Sequence, residues 1–397
     1  MLSRGLDSSF APEVRAAITP ITLAKLGANS AYRFAPPFLA TIAADLHVTL
    51  PTIGVALAVG ELGGLSAPLL GRITARVTQR AAICGGLLGV ALAGLVCASS
   101  QNVIHLCIGL AMLTMAKLLF DIGVATWIAD RVPYTQRGRV IGVTELAWAA
   151  SLLIGVVLMG LITGAFSWRW GYAAAVVAIV ILAAVLRARL PDEPPTTRTM
   201  RTTRAAEHIA APLGNGWWIV IATFSLMAAA QSVFVTFGTW LKDDFGYSDT
   251  RLTTIIFGFG AVELLATSTM IRFADGWGKQ RSALIGASLM VPSGVGLAIA
   301  SNHVLVALPL LAAFVGCFEF ALVSTLPLAS VLVPGHPARG LGFIVGAGTL
   351  GRATMSAPAA AALSNHGMWL PASMGAGCAL ATTACQWRYR VSLGSHS

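Results

Sequence analysis

Charged residues are scarce in this chain of 397 residues: they make up 11% of it, while 56% of the residues are hydrophobic. Soluble domains contain roughly 25% charged residues, so the chain lacks the polar surface that a water-soluble globule of this size requires. The composition therefore predicts an integral, all-α membrane protein.

The chain also lacks the sequence motifs of catalysis and of metal binding. It contains no GxSxG, HExxH, CxxC or phosphate-binding glycine loop. Its six cysteines all fall within apolar stretches, where we interpret them as small packing residues, and its seven histidines show no metal-ligand spacing. We therefore expect no enzymatic activity, no cofactor and no bound metal.

Apolar stretches of about 18 to 25 residues, the length that crosses a hydrocarbon core roughly 30 Å thick, recur along the whole chain. Twelve such spans are predicted at approximately 16–43, 51–71, 81–99, 103–128, 140–163, 171–188, 216–240, 252–273, 282–300, 304–332, 341–363 and 369–386. The polar stretch between the sixth and seventh spans has the composition of a linker. We expect an N-terminal six-helix bundle (1–188), a cytoplasmic linker (189–215) and a C-terminal six-helix bundle (216–397).

Basic residues lie mostly on one side of these spans. If both termini face the cytoplasm, nineteen of the 26 lie in cytoplasmic segments, three in the opposite loops and four inside spans. This bias predicts cytoplasmic termini by the positive-inside rule, so the net charge of +10 reflects topology rather than nucleic-acid binding. No apolar segment precedes the first span, which we expect to act as the uncleaved targeting signal. The expected location is a bacterial cytoplasmic membrane.

Tryptophan placement agrees with these spans. Nine of the ten tryptophans lie near a predicted span end, where the amphipathic ring is favoured at the membrane interface. Trp148 is the exception, since it lies well inside span five.

The two halves of the chain are related by an internal offset of 202 residues. Glu61 recurs as Glu263, and Lys117 falls opposite Glu319 at the same offset. A fixed offset of half the chain length indicates a duplicated architecture. The lysine and the glutamate make the two copies chemically unequal.

Two cytoplasmic loops carry related motifs. The loop between spans eight and nine reads RFADGWGKQR from Arg272 to Arg281, and the loop between spans two and three reads GRITARVTQR from Gly71 to Arg80. Both resemble the G-x-L-A-D-R-x-G-R-R signature of the major facilitator superfamily. The loop between spans eight and nine keeps the acid, the glycine and the basic positions. The loop between spans two and three has Ala75 in place of the acid.

The resemblance extends over the whole chain and implies a fold and a mechanism. It implies two six-helix bundles related by a pseudo-twofold axis, around a central cavity lined by spans one, four, seven and ten that opens alternately to each side. It also implies a cytoplasmic latch between the bundles. The residues assigned to this latch are Gly71, Arg76, Arg80, Asp275, Gly278, Lys279 and Arg281.

Nine ionisable side chains fall inside the predicted spans. They are Lys25, Arg33, Glu61, Lys117, Asp121, Glu145, Glu263, Glu319 and Arg352. Each costs about 2.5 to 3.5 kcal/mol at the centre of a membrane helix, so we expect them to face a bundle interior or an aqueous cavity and treat them as functional candidates. The alternative is that they form buried ion pairs that hold the helices together.

Six residues are assigned to substrate binding: Lys25, Asn29, Arg33, Lys117, Glu319 and Arg352. The first three are spaced four residues apart in span one and share one helix face, ahead of Pro36 and Pro37, which should kink the helix. Lys117 and Asp121 are also four residues apart and can form an ion pair. Lys117 thus has either a structural role or a cavity role.

Three acids are assigned to proton coupling: Glu61, Asp121 and Glu263. Glu61 and Glu263 have no base within one helical turn, and intramembrane carboxyl groups serve in proton relays. The alternative is a protonated carboxyl group hydrogen-bonded to a neighbouring helix.

Two further charges have expected partners. Glu145 lies six residues after Arg139, with which we expect it to pair at the interface. Arg352 is expected to counter either Glu319 or a substrate anion.

These features favour a secondary transporter that moves a small organic solute by alternating access. We expect proton-coupled efflux, although span five keeps Gly155 and Gly160 of the drug-antiporter glycine run and lacks its proline. One alternative is proton-coupled uptake of an organic anion or nutrient, and a more distant one is a polytopic membrane protein without transport activity. The expected partners are the solute, protons and lipid, and the expected state is a monomer.

Overall fold

The computed structural model describes residues 10–132, 134–191, 214–329, 332–333 and 337–394. The regular structure within these residues is helical, and no strand occurs in them. The predicted all-α class is therefore confirmed. Most of the predicted linker, 189–215, lies outside the described residues.

The described residues fall into two compact units. Unit 1 lies within Met1–Phe34 and Ser66–Ile209, and unit 2 lies within Ala35–Leu65 and Ala210–Ser397. Residues 35–65, which the sequence assigns to the first bundle, therefore pack with unit 2 in this structure.

Unit 1 is built from seven α-helices within the described residues. They are α1 (Pro12–Arg33), α4 (Ala67–Arg76), α5 (Gln79–Ala98), α6 (Val103–Arg131), α7 (Tyr134–Ala150), α8 (Val157–Ala165) and α9 (Trp168–Arg189). A π-helix, Ser151–Val156, joins α7 to α8. Helix α1 packs against α6, α7, α9 and the π-helix, and α5 packs against α6 and α9.

Unit 2 contains nine α-helices in its described part. They are α2 (Leu39–Asp45), α3 (Leu50–Leu62), α10 (Trp217–Phe234), α11 (Phe237–Phe245), α12 (Asp249–Trp277), α13 (Lys279–Ile299), α14 (Val304–Ala329), α15 (Pro337–His366) and α16 (Trp369–Gly394). Three 3₁₀ turns, Pro36–Phe38, Gly63–Ser66 and Gly214–Gly216, flank α2, α3 and α10. Helix α10 packs against α15 and α16, α12 packs against α14, and α3 packs against α15.

Eight helices of the described part are long and apolar enough to cross a membrane. They are Gln79–Ala98, Val103–Arg131, Val140–Ala165, Trp168–Arg189, Gly214–Phe245, Asp249–Met270, Lys279–Ile299 and Val304–Leu328. Predicted span one is broken after Arg33, because two prolines follow within four residues. Span two is divided by the 3₁₀ turn Gly63–Ser66. The count of twelve spans and the side on which the termini lie stay predictions.

Several of the helices begin at side chains that cap their first turn. Thr78 Oγ1 accepts a hydrogen bond from the Ala81 amide at the start of α5. Asn102 Oδ1 accepts one from His105 at the start of α6. Such caps satisfy amides that have no partner inside the helix, so the loop polar residues fix where the apolar helices begin.

Helix α5 shows how the chain meets lipid. Its buried face carries Ile83, Leu87 and Val90, while Leu88 and Leu92 are exposed. A helix on the surface of a soluble protein is polar on its exposed face, whereas this one is apolar on both. Lipid is the environment that suits such a helix.

Adjacent glycines in α5 allow a test of helix packing in unit 1. A β-carbon on Gly86 would lie 2.5 Å from the backbone nitrogen of Phe120 on α6, whereas one on Gly85 would meet nothing within 4 Å. Gly86→Ala is therefore expected to lower the free energy of unfolding by about 2 kcal/mol through overpacking. Gly85→Ala should be neutral or raise it by up to about 1 kcal/mol. Equal thermal stabilities of the two purified variants would contradict this packing.

Candidate functional site

Five charged side chains inside unit 1 come together where α1, α6 and α7 meet. These residues, the α1–α6–α7 cluster, are Lys25, Arg33, Lys117, Asp121 and Glu145. Asn29 lies between the two α1 bases and is fully buried. Three bases and two acids give the cluster one net positive charge. The α1 stripe predicted from the sequence therefore does face other charged residues.

Lys25 of α1 forms an ion pair with Glu145 of α7. The distance from Lys25 Nζ to Glu145 Oε1 is 2.5 Å, and Asp121 also acts electrostatically on Lys25. The side chain of Arg139 lies outside the described residues, so the expected pairing of Glu145 with Arg139 stays a prediction. The pair joins residues 120 positions apart, because α1 packs directly against α7.

Lys117 forms the ion pair that its spacing predicts. Its Nζ lies 2.6 Å from Asp121 Oδ2, one turn along α6. The same ammonium lies 5.3 Å from the ring centre of Tyr32 and 5.9 Å from that of Trp148. A cation at this distance from an aromatic face is attracted to it, so Lys117 has a structural partner and aromatic neighbours at once.

Trp148 lies between two cations of the cluster, Arg33 and Lys117. It was not assigned to the site from the sequence. The Arg33 guanidinium carbon lies 4.2 Å from the centre of its ring, and Arg33 Nη1 donates to its backbone carbonyl at 2.9 Å. The sequence held one signal for this role, since Trp148 is the tryptophan that lies away from the span ends.

In unit 2, Arg352 of α15 forms an ion pair with Glu61 of α3. Arg352 Nε donates to Glu61 Oε2 at 2.9 Å, and both side chains are largely buried. The sequence led us to expect Glu319 or a substrate anion as the partner of Arg352, and the structure adds Glu61 as a partner. Glu61, which has no base within one turn of its own helix, has this base on a neighbouring helix 291 residues later.

Further polar contacts continue along the same face of α15. Arg352 Nη1 contacts Met227 Sδ of α10 at 3.4 Å. One turn later, Ser356 Oγ accepts a hydrogen bond from Gln231 Nε2 of α10 at 2.8 Å. Helix α15 therefore presents a polar stripe to both α3 and α10.

Glu263 and Glu319 lie on the neighbouring helices α12 and α14 of unit 2. Both are buried, with exposures of 0% and 2%. Thr267 Oγ1, one turn after Glu263 on α12, donates to Glu319 Oε1 at 3.0 Å. Since Thr267 and Glu263 share a helix face, Glu263 lies on the face of α12 that is turned towards α14. Glu319 therefore lies next to the helix that carries the proton-coupling candidate Glu263, and its assignment to substrate binding stays a prediction.

Most of the residues assigned to the cytoplasmic latch lie at or near helix ends. In unit 1, Gly71 and Arg76 belong to α4, and Arg80 near the start of α5 donates to the carbonyl of Arg187 in α9. In unit 2, Gly278 separates α12 from α13 at a φ of 81°, a conformation that suits glycine. Lys279 and Arg281 begin α13. The side chain of Asp275 lies outside the described residues, so the latch stays a prediction.

The loop motif that occurs twice in the sequence resembles the signature of a large family of transporters. Residues 21–360 match the family model described as Major Facilitator Superfamily. The chain belongs to the major facilitator superfamily. The resemblance predicted from the two loop motifs is thereby confirmed, and the chain is a multi-pass membrane protein of a transporter family rather than of an enzyme family.

One curated superfamily member is similar in sequence. It is YwfA of Bacillus subtilis, described as an uncharacterized MFS-type transporter, which is 26% identical over 278 residues. The match covers 67% of this chain and 65% of that relative, so the chain spans somewhat less than two thirds of its length.

Solved structures of superfamily members share the fold. The xylose transporter XylE of E. coli, in an inward-open conformation, aligns with a TM-score of 0.75 over 92% of this chain and 95% of that one, at 16% identity. The human organic anion transporter MFSD10 aligns with a TM-score of 0.70 over 95% of this chain and all of that one, also at 16% identity. Identities this low establish the fold alone.

Proposed function

We propose that the protein is a secondary active transporter that exports a small organic solute across a bacterial cytoplasmic membrane in exchange for protons. The observation that carries the proposal is the pair of buried carboxyl groups, Glu263 and Glu319, on facing helices of unit 2. Intramembrane carboxyl groups are costly to maintain and are the usual proton carriers of transporters. Membership of the superfamily supports transport itself.

The ion pairs inside the helices support alternating access. Lys25–Glu145 and Glu61–Arg352 each join two helices across a low-dielectric interior, where an ion pair holds a specific arrangement more than it adds stability. A solute or a proton that neutralises one partner releases that arrangement. Such pairs therefore suit a protein that alternates between two packings.

Uptake of an organic anion together with protons is the second candidate. The observation that favours it is the net positive charge of the α1–α6–α7 cluster, which would attract an anion in a low-dielectric environment. The human superfamily structure of similar fold is itself described as an organic anion transporter. The direction of proton movement separates the two candidates.

The sign of an imposed pH gradient provides the test. After a ligand has been found by thermal-shift screening, its uptake into proteoliposomes is measured with the lumen either acidic or alkaline relative to the bath. Exchange for protons predicts accumulation when the lumen is acidic, because protons leave as the solute enters. Cotransport predicts accumulation when the bath is acidic. Uptake that ignores both gradients would show that transport is not coupled to protons.

A further inference from the structure

Three side chains of the α1–α6–α7 region carry buried polar atoms that have no hydrogen-bond partner among the described residues. They are both amide atoms of Asn29, the indole Nε1 of Trp148 and Oδ1 of Asp121. Buried polar atoms are nearly always hydrogen-bonded in native structures, since leaving one without a partner costs its full desolvation. Three helices thus bring incompletely satisfied groups to one place.

The neighbours of Asn29 show which way it faces. Lys25 and Arg33, one turn before and after it, both reach α7, at Glu145 and at Trp148 respectively. Residues spaced four apart share a helix face, so Asn29 is also directed towards α7. Its amide and the indole N–H of Trp148 are therefore two hydrogen-bond donors in the same interface.

The backbone beside Trp148 departs from a regular helix. The π-helix Ser151–Val156 begins three residues after Trp148, and single π-helical turns inside α-helices are frequent at functional sites. The approach of α1 is close there, because a β-carbon on Gly155 would lie 1.8 Å from Ser30 Oγ. The Trp148 carbonyl accepts from both Arg33 Nη1 and Ser151 Oγ. This local geometry fixes the indole against α1.

We infer that the α1–α6–α7 cluster binds a solute that carries a carboxylate on an aromatic ring, with the carboxylate accepting hydrogen bonds from Lys117 Nζ and Trp148 Nε1 and the ring packing against Tyr32. The inference rests on the proposed transport function and names its substrate class. Lys117 already lies near both aromatic rings. The carboxylate of the solute replaces Asp121 as the partner of the Lys117 ammonium.

Charge selects an anion over a cation, and two of the four unpartnered polar atoms, Asn29 Nδ2 and Trp148 Nε1, are donors that a carboxylate can satisfy. A ligand with one negative charge neutralises the cluster, whereas a ligand with one positive charge doubles its excess, which is unfavourable at low dielectric. Both carboxylates of the cluster already have an ammonium partner, at 2.5 and 2.6 Å. A carboxylate supplies acceptors for the indole and amide donors.

Three probes that share one ring and differ in the head group test the inference: 2-naphthoate, 2-naphthamide and 2-naphthylmethylamine. Their affinities for the purified full-length protein are measured by isothermal titration calorimetry. We expect the carboxylate to bind about tenfold more tightly, or more, than the neutral amide and the cationic amine, because charge-assisted hydrogen bonds are the strong ones. An amide that binds as tightly as the acid, or an amine that binds most tightly, would overturn the inference.

Substitutions locate the binding to the cluster, and a double variant does so without leaving one charge of an ion pair behind. The double variant Lys117→Met/Asp121→Asn removes both charges of one ion pair and should weaken 2-naphthoate binding about tenfold or more. Asp121→Asn alone removes the competing carboxylate and should leave the affinity equal or higher. Trp148→Phe keeps a ring and removes the donor, which should weaken binding about threefold to tenfold.

A matched control makes the same chemical changes at a different ion pair. Lys242 and Asp249 of unit 2 lie 3.3 Å apart, and Lys242→Met/Asp249→Asn should leave the affinity for 2-naphthoate unchanged. Equal losses in the two double variants, or no loss in the cluster variant, would contradict the site.

Binding is measured without transport, so the two proposals can fail separately. A carboxylate that binds but is not moved by any pH gradient would refute the proposed function alone. If a pH gradient drives the transport of a neutral or cationic solute and 2-naphthoate does not bind, this inference alone is refuted.

Discussion

Replacing Arg352 with methionine should lower the free energy of unfolding by about 3 kcal/mol. The carboxylate of Glu61 would lose the guanidinium that it contacts at 2.9 Å in a largely buried place. Methionine keeps most of the length and apolar character of the side chain, so the loss reports the missing charge. The measurement is the thermal or chemical unfolding of the purified protein in detergent.

The double variant Glu61→Gln/Arg352→Met distinguishes a broken ion pair from a general loss of packing. Removing both charges should recover most of the lost stability, because replacing a buried pair by neutral groups is often close to neutral in energy. As a control, Lys242→Met breaks the more exposed pair with Asp249 at 3.3 Å and should cost less than about 1 kcal/mol. A double variant no more stable than Arg352→Met would show that the ion pair does not account for the effect.

Replacing Glu263 with glutamine should abolish transport driven by a pH gradient. An amide fills the same volume as a carboxyl group and cannot take up or release a proton in the physiological range. If Glu263 carries the coupled proton, the variant should still exchange labelled for unlabelled solute across the membrane, because exchange needs no net proton movement. Proteoliposomes measured with and without a gradient report the two activities separately.

The control for this variant is Glu13→Gln, at the exposed start of α1. It makes the same substitution away from the buried carboxyl groups and should leave gradient-driven transport intact. Glu319→Gln shows whether the neighbouring carboxyl group shares the role, since Thr267 donates to it from the helix of Glu263. Undiminished gradient-driven transport in Glu263→Gln would remove this residue from the coupling mechanism.

The features that depend on local sequence were predictable. Predicted span four, 103–128, corresponds to α6 (Val103–Arg131), because a long, mostly apolar run that follows a capping asparagine defines the helix. The ion pair of Lys117 with Asp121 follows from their spacing of four residues on that helix. These predictions needed no information about which helices are neighbours.

The features that depend on helix neighbours were not predictable. Glu145 pairs with Lys25 because α1 packs on α7, and no spacing in the sequence indicates this partner. The same limit applies to Glu61, whose partner is 291 residues away. Sequence spacing gives the face on which a charge lies, while tertiary packing decides which charge it meets.

The duplicated acids show how far two copies of one architecture can diverge. Glu61 and Glu263 occupy equivalent positions at the internal offset, yet Glu61 contacts the guanidinium of Arg352 and Glu263 lies fully buried on the helix face turned towards Glu319. A structural role for the first acid and a coupling role for the second is consistent with these surroundings. Positions that are equivalent in the sequence repeat thus have different surroundings.

The 3₁₀ turns at the two ends of residues 35–65 give the chain uneven mechanical stiffness. Pro36–Phe38 follows the end of α1, and Gly63–Ser66 separates α3 from α4. Short 3₁₀ stretches have poorer hydrogen-bond geometry than an α-helix and often mark hinges. A change of chain direction there disturbs few of the backbone hydrogen bonds in the helices on either side. Bending of this segment is therefore expected at these two turns and at the non-helical link between α2 and α3, while each helix stays straight.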